Sequence, residues 1–417
     1  MPERETAVIV SWKTPIVLAV FTVLALILFV LNPREGQETR FRLSTEGEFI
    51  QLPTITVNTA VTTILMTVLL AALTIYAAWR VWQKHKPGLW VPIVFVVFFM
   101  IDFLTWAAAG STIPVPGLLI GTVTLSAPLI YGALGGVISE RVGVVNVAIE
   151  GQLLAGAFSS ALVASITGNP YLGLFAAAFA GVLVSFVLAA FSIKYFVDQV
   201  IVGVVLNVLV TGLTSFLYSQ VLTENTPLLN SPPRLNRIEI PLLSDIPIIG
   251  PVLFNQSIII YIMYVAVAAV YVGLFHTKWG LRLRSVGEHP KAADTVGINV
   301  TGTRFWNVSL AGAVAGLGGA FFTLGSVGAF NKEMTAGYGF IALAAVIFGR
   351  WDPIRATLAA LLFGFATNLQ NVLGIIGSPV PSEFMLMLPY LVTIFAVAGL
   401  VGAVRGPAAS GKPYIKA

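Results

Sequence analysis

The chain has 417 residues, of which 57% are hydrophobic and only 10% are Asp, Glu, Lys or Arg. A soluble domain carries about 25% charged residues, so this composition excludes a string of ordinary soluble domains. There is no cysteine, which excludes a disulfide scaffold, a cysteine nucleophile and a thiolate metal site. The net charge of +5 does not point to nucleic acid, because the basic residues fall mostly in short connectors between apolar runs.

A bilayer crossing needs about 20 mostly apolar residues as helix. Backbone in lipid must satisfy its own hydrogen bonds, so a long apolar run there becomes a helix. The first such run, Ile16 to Leu31, is followed by the charged NPREGQETR with no small-residue cleavage site, and it reads as a retained first span. Further runs lie at 56–79, 89–109, 117–138, 147–167, 171–193, 200–221, 257–275, 306–328, 337–349, 354–373 and 384–404. Two of them look irregular: 117–138 contains Pro128 and YGALGG, and 337–349 is too short for a comfortable crossing. Broken or re-entrant helices are tolerated where protein buries them or they line a cavity. The expectation is an all-α, polytopic transmembrane helix bundle of about 10–12 spans with broken or re-entrant helices.

Alternating through twelve runs from an inner N-terminus places 17 of the 23 Lys and Arg on the inner side. That bias predicts both termini in the cytoplasm. Two outer segments are then long, 32–55 and 222–256. The prolines and alternating apolar residues of the second suggest an ordered cap, with a flexible loop as the alternative. The only long inner loop, 276–305, contains KAADTVGI, a short helix candidate opened by His289, Pro290 and Lys291 and stopped by Gly297. Such a helix suits a groove on a soluble partner, with Lys291 and Arg284 for charge pairing and Ala292, Ala293, Val296 and Ile298 for packing. It equally suits a basic loop that only sets topology.

Several polar residues fall at membrane depth. Asp102 is costly there unless it faces protein or water. Asn146 and Glu150 are four apart and would share one helical face, with Glu140 and Arg141 possible partners of each other just before them. Asn207 lies deep in its run, and Asp198 is placed to cap it. Each deep polar side chain fits a polar path or an interhelical hydrogen bond. Trp106 and several Phe and Tyr residues offer faces for a flat ligand, with core packing as the plainer account. His85, His276 and His289 lack metal-ligand spacing. No GxxxxGK[ST] phosphate loop and no cluster of catalytic residues is present, so any ATP hydrolysis belongs to another chain.

The run TLSAPLIYGALGGVISERVGVVNVAIEG at 124–151 resembles the signature region of permease subunits of nucleoside and simple-sugar ABC importers. WGLRLRSVGEHPKAADTVGINV at 279–300 resembles that family's cytoplasmic coupling segment, and GYGFIALAAVIFGRWDP at 337–353 also fits. The likeness covers roughly 115–405 and is greater to nucleoside systems with Bmp-type binding proteins than to ribose permeases. It implies N-terminal spans at 1–110, a permease core at 111–405, an extracytoplasmic loop at 222–256, a coupling loop at 276–305 and a cytoplasmic tail at 406–417. It further implies a bacterial cytoplasmic membrane location and alternating-access import of nucleosides, with simple sugars and an ion-coupled carrier as alternatives. The implied partners are a second permease subunit, ATP-binding subunits that use ATP and Mg, and an extracytoplasmic substrate-binding lipoprotein; this chain itself would carry no cofactor, metal or catalytic residue. By the resemblance, Asn146 and Glu150 gain weight as path residues beside Asn207 and Trp106. Gly287, Glu288, Pro290, Ala292, Ala293 and Gly297 gain weight as coupling residues beside Arg284 and Lys291. The segment 32–55 is the clearest departure from the family pattern.

Overall fold

The structure is a computed structural model and describes residues 11–34, 36–45, 48, 50–88, 90–378, 380, 381, 383, 384, 387 and 406–416. Ten helices among these are long and apolar enough to cross a membrane. The run expected at 384–404 lies almost wholly outside the described residues. The chain divides into two units, one built mainly from residues 1–118 and one mainly from 119–368 together with the C-terminal tail.

The first unit holds α1 (Lys13–Ala25, continued by a π-helical turn to Val30), β1 (Glu38–Arg42), β2 (Ile55–Asn58), α2 (Thr59–Trp82), α3 (Trp90–Ala107) and β3 (Thr112–Pro114). Asn58 starts α2 by accepting a hydrogen bond from the Val61 amide at 3.1 Å. The three helices pack through Leu18, Phe29, Leu70 and Phe95, all buried. Asp102 is fully buried here and accepts from the Thr67 hydroxyl at 2.9 Å. The segment 32–55, which departs from the family pattern, contributes a strand: β1 pairs antiparallel with β2 and parallel with β3. Thr39 on β1 pins this sheet to the helices, meeting the Thr59 hydroxyl at 2.9 Å and donating to the Thr105 carbonyl at 2.7 Å.

The second unit begins within α4 (Val115–Arg141) and continues with α5 (Ile149–Thr167), α6 (Pro170–Ala189) and α7 (Gln199–Leu217). Short pieces α8 (Thr226–Leu229), β4 (Arg237–Glu239), α9 (Ile249–Leu253) and β5 (Asn255–Ser257) follow. Then come α10 (Ile258–His276), α11 (Lys278–Glu288), α12 (Pro290–Thr295), α13 (Val300–Ala320), α14 (Tyr338–Phe348) and α15 (Pro353–Ile375), the last of which belongs to this unit only as far as Asn368. The irregularity expected in 117–138 is absent: α4 is one helix of 27 residues with Pro128 inside it. Its glycines serve contact rather than breakage. A Cβ on Gly132 would meet Ala342 at 2.8 Å, and one on Gly136 would meet Val346 at 2.7 Å, both on α14. The short run at 337–349 does form a short helix, the 11-residue α14.

Helices α5, α6 and α13 pack backbone to backbone. A Cβ on Gly156 would collide with the carbonyl of Gly316, and one on Gly181 with the carbonyl of Gly312. Small residues allow this approach, which replaces the hydrophobic drive missing between helices in lipid. Asp198 caps α7 as expected, accepting from the Val200 and Ile201 amides at 2.9 and 3.1 Å. The 222–256 segment is ordered. Asn230 exchanges two hydrogen bonds with the Phe330 backbone, and Arg234 donates to the Val327 carbonyl at 2.6 Å. We expect Gly181→Ala to destabilise the detergent-solubilised protein by about 1–3 kcal/mol through overpacking, read as a lowered thermal unfolding midpoint, while Gly212→Ala, whose added Cβ meets nothing within 4 Å, has little effect.

Candidate functional site

Between α4 and α5 the helix stops, and residues 142–148 run without regular structure through a buried region. Exposed peptide groups there would have no water to bond, so each needs a protein partner. The Gly143 and Val144 amides bond back to the Glu140 and Ser139 carbonyls, both at 3.0 Å, and side chains supply further partners. Ser139 donates to the Val144 carbonyl at 2.8 Å, and Gln199 accepts from the Val145 amide at 2.7 Å. Asn207 on α7 donates to the Val147 carbonyl at 2.9 Å and accepts from the Gly151 amide at 2.8 Å. One amide side chain thus bridges the last part of the break and the first turn of α5.

Asn146 lies inside the break, so the expectation that it shares a helical face with Glu150 is corrected: α5 begins only at Ile149. The tertiary hydrogen bonds from α7 hold this stretch unwound despite its apolar composition. Asn146 is fully buried and exchanges two hydrogen bonds with Gln152, at 3.1 and 3.2 Å. Gln152 also donates to the Ser185 hydroxyl of α6 at 2.9 Å. Glu150, in the first turn of α5, faces the start of α14. Its carboxylate accepts from the Thr335 hydroxyl at 2.6 Å, the Gly337 amide at 2.9 Å and the Gly339 amide at 2.6 Å. An anion at a helix N-terminus satisfies free amides and complements the helix dipole. Gly337 adopts φ +85°, and a Cβ on Gly339 would collide with the Glu150 backbone, so glycine is required at this junction.

Asn146, Glu150 and Asn207 are therefore brought together around one break. Trp106 belongs to the first unit, where it donates to the Asn32 carbonyl at 3.0 Å and lies under the Arg34 guanidinium at 5.0 Å. Glu140 and Arg141 do not pair with each other as expected. Glu140 accepts from the Trp351 indole, while Arg141 donates to the Trp351 carbonyl at 2.8 Å. Both are thereby used to hold the turn between α14 and α15.

The loop at 276–305 forms two helices instead of the one expected. Thr277 caps α11 by accepting from the Gly280 amide at 3.2 Å, and Pro290 occupies the first turn of α12. Gly287 and Ala293 are buried, Arg284 and Pro290 are half-buried, and Glu288, Lys291, Ala292 and Gly297 are exposed. A Cβ on Gly287 would collide with the Arg141 carbonyl, so α11 rests directly on the end of α4. Arg284 and Arg141 flank the same Phe275 ring at 5.2 and 5.8 Å. The outer faces of α11 and α12 enclose a cleft of about 420 Å³ lined by Leu281, Ser285, Ala292 and Val296. Leu281 and Val296 are 62% and 75% exposed, an apolar surface on an otherwise basic loop.

A family model for the permease component of branched-chain amino acid transport systems matches residues 118–397. The chain belongs to this permease family. The guanosine ABC transporter permease protein NupQ of Bacillus subtilis is 42% identical over 314 residues, covering 71% of this permease and 95% of NupQ. The nucleoside ABC transporter permease protein NupC of Lactococcus lactis is 42% identical over 301 residues, covering 70% of this permease and 94% of NupC. The guanosine ABC transporter permease protein NupP of Bacillus subtilis is 26% identical over 294 residues, covering 68% and 83%. No solved structure matches the permease. The matched region begins just inside α4, so α1 to β3 lie outside the family model.

Thr335 and Ser185 escaped the sequence reading because they reach their partners across 185 and 33 residues, with no local pattern to mark them. Gln152 and Gln199 carried a signal, as amides in apolar runs. We expect Asn207→Leu to strand the Val147 carbonyl and the Gly151 amide, at roughly 1–3 kcal/mol for each buried group. Thermal unfolding of the purified permease should show this loss, with Asn207→Gln recovering only part of it.

Proposed function

We propose that this permease is one of two membrane subunits of an ATP-driven importer that moves nucleosides across a bacterial cytoplasmic membrane by alternating access. The observation that carries the reading is the 42% identity to two nucleoside permeases, spread over nearly their whole length. The weaker likeness to NupP, a second guanosine permease protein of the same bacterium as NupQ, supports a related but different chain as the other membrane subunit. ATP hydrolysis falls to cytoplasmic ATP-binding subunits using ATP and Mg, since this chain has no phosphate loop. An extracytoplasmic binding lipoprotein delivers the substrate. The excess of Lys and Arg on one set of connectors supports cytoplasmic termini and a cytoplasmic 276–305 loop.

In this reading the ATP-binding subunits dock on the exposed face of α11 and α12, with Glu288, Lys291 and Ala292 in contact. Arg284, Gly287, Pro290, Ala293 and Gly297 hold that face in shape. The break at 142–148 forms part of the path wall. Asn146, Glu150 and Asn207 present amides and a carboxylate suited to ribose hydroxyls. In the present conformation Glu150 and Asn207 are engaged with backbone and Asn146 with Gln152, so opening the path exchanges these bonds for substrate or water.

Reconstitution with the ATP-binding subunits and binding protein tests the reading. Nucleoside uptake should require ATP and be insensitive to excess ribose. Uptake driven by an ion gradient without ATP, or uptake of a simple sugar alone, would refute it. Charge reversal at Lys291 with Ala292→Trp should cut binding-protein stimulation of the ATPase at least about tenfold, equivalent to about 1.4 kcal/mol. Asn146→Ala and Glu150→Ala should each alter the KM or maximal rate of uptake. Unchanged saturation curves at equal expression would remove both from the path.

A further inference from the structure

The C-terminal segment 406–416 takes no part in the function described above, yet it is bound to three separate elements of the second unit. At α11, the Ala409 amide donates to the Gly287 carbonyl at 2.9 Å and the Ala408 amide to the Glu288 carboxylate at 3.2 Å. At α12, Tyr414 and Lys416 line one cleft with Asp294, and Lys416 lies 3.9 Å from the Asp294 carboxylate. At α13, the Lys412 carbonyl accepts from Nη1 of Arg304 at 2.9 Å. The segment also passes over the break: a Cβ on Gly143 would lie 3.3 Å from the Ala409 carbonyl, and one on Gly411 would lie 3.6 Å from Val145.

Arg304 is the anchor of this arrangement. It is only 2% exposed, and among the described residues its Nε and Nη2 have no hydrogen-bond partner. The Lys412 carbonyl is thus the one acceptor shown for a buried cation, and a buried cation strongly favours any acceptor it has. A Cβ on Gly143 would lie 2.9 Å from Nη2, so the guanidinium lies close beside the first residues of the break. The exposed Lys416 pair contributes little by comparison. The hold therefore comes from buried backbone groups, Arg304 and the buried Ala409, rather than from surface charge.

We propose that residues 406–416 are a strap that makes α11, α12 and the break at 142–148 move as one body, with Arg304 as its positioning residue. The proposal rests on the docking of ATP-binding subunits at α11 and α12. Under it, displacement of the docking helices reaches Asn146 and Glu150 through the strap as well as through α4. Loosening the strap leaves α4 as the remaining route, so the docking helices move the path less and ATP is hydrolysed with less transport.

The test uses the complete reconstituted transporter and reads nucleoside imported per ATP hydrolysed. Arg304→Met removes the anchor without leaving a buried charge unpaired. Ala409→Pro separately removes the donor to Gly287. Each should lower transport per ATP at least threefold while basal ATP hydrolysis and co-purification of the ATP-binding subunits stay at wild-type levels. Because the chain has no cysteine, Asp294→Cys with Tyr414→Cys can be joined by a short bismaleimide. A strap that moves with α12 tolerates that link, so transport per ATP should remain near wild type. An unchanged ratio in both Arg304→Met and Ala409→Pro overturns the proposal. Arrest of transport by the link also overturns it, because the segment would then be a latch that must release. Loss of the ATP-binding subunits from either variant overturns it too, since the segment would then be part of the docking face. Failure of the docking reading itself is separate: it would show as normal ATPase stimulation in the Lys291 and Ala292 variants.

Discussion

A peptide group in an apolar interior has no water to turn to, and this demand shapes the centre of the second unit. Between the end of α4 at Arg141 and the start of α5 at Ile149, only the Gly143 and Val144 amides bond back to α4 and only the Ala148 carbonyl is taken up by α5, so the other peptide groups need partners from elsewhere. Side chains of Ser139, Gln199 and Asn207 provide the missing partners, and Glu150 does the same for the free amides that open α14. An unpaired backbone group in such a place costs several kcal/mol. The polar residues of this region are therefore required before any transported molecule is considered. Their role in holding the break and their proposed role along a path rest on the same bonds, and a change of conformation at the break must change both.

Glycine sets the other constraint. Helices α5, α6 and α13 approach until backbone meets backbone at Gly156, Gly181, Gly312 and Gly316. Contacts of this kind leave no slack, so the three helices behave as a firm frame. Against that frame α11 and α12 rest on the end of α4 through Gly287, and the C-terminal segment ties them to Arg304. The result is a short mechanical distance between a surface suited to a soluble partner and a buried polar break. The proposed docking of ATP-binding subunits on α11 and α12 depends on that proximity.

The placing of the long helices was legible from residue order. Apolar runs of about 20 residues have one outcome in lipid, and ten were found where expected among the described residues. The cap at Asp198 was legible too, since it depends on residues two and three positions away. Pro128 and the glycines near it misled, because residue order does not distinguish a glycine that breaks a helix from one that admits a neighbour. The strand formed from 38–42 was missed for a related reason: its partners at 55–58 and 112–114 are chosen by long-range pairing.

The sequence alone determined that this chain is a bundle of membrane-crossing helices, that it carries no GxxxxGK[ST] phosphate loop, and that its two longest polar motifs resemble those of a permease. Those conclusions depend on hydropathy, on missing motifs and on local patterns, all of which reside in residue order. Only the tertiary structure decided that α5 starts after Asn146, that Glu150 caps α14, that Glu140 and Arg141 both serve Trp351, and that the C-terminal segment grips α11, α12 and Arg304. Each of these depends on a side chain meeting a backbone group far away in sequence, and which group it meets is set by how the helices pack.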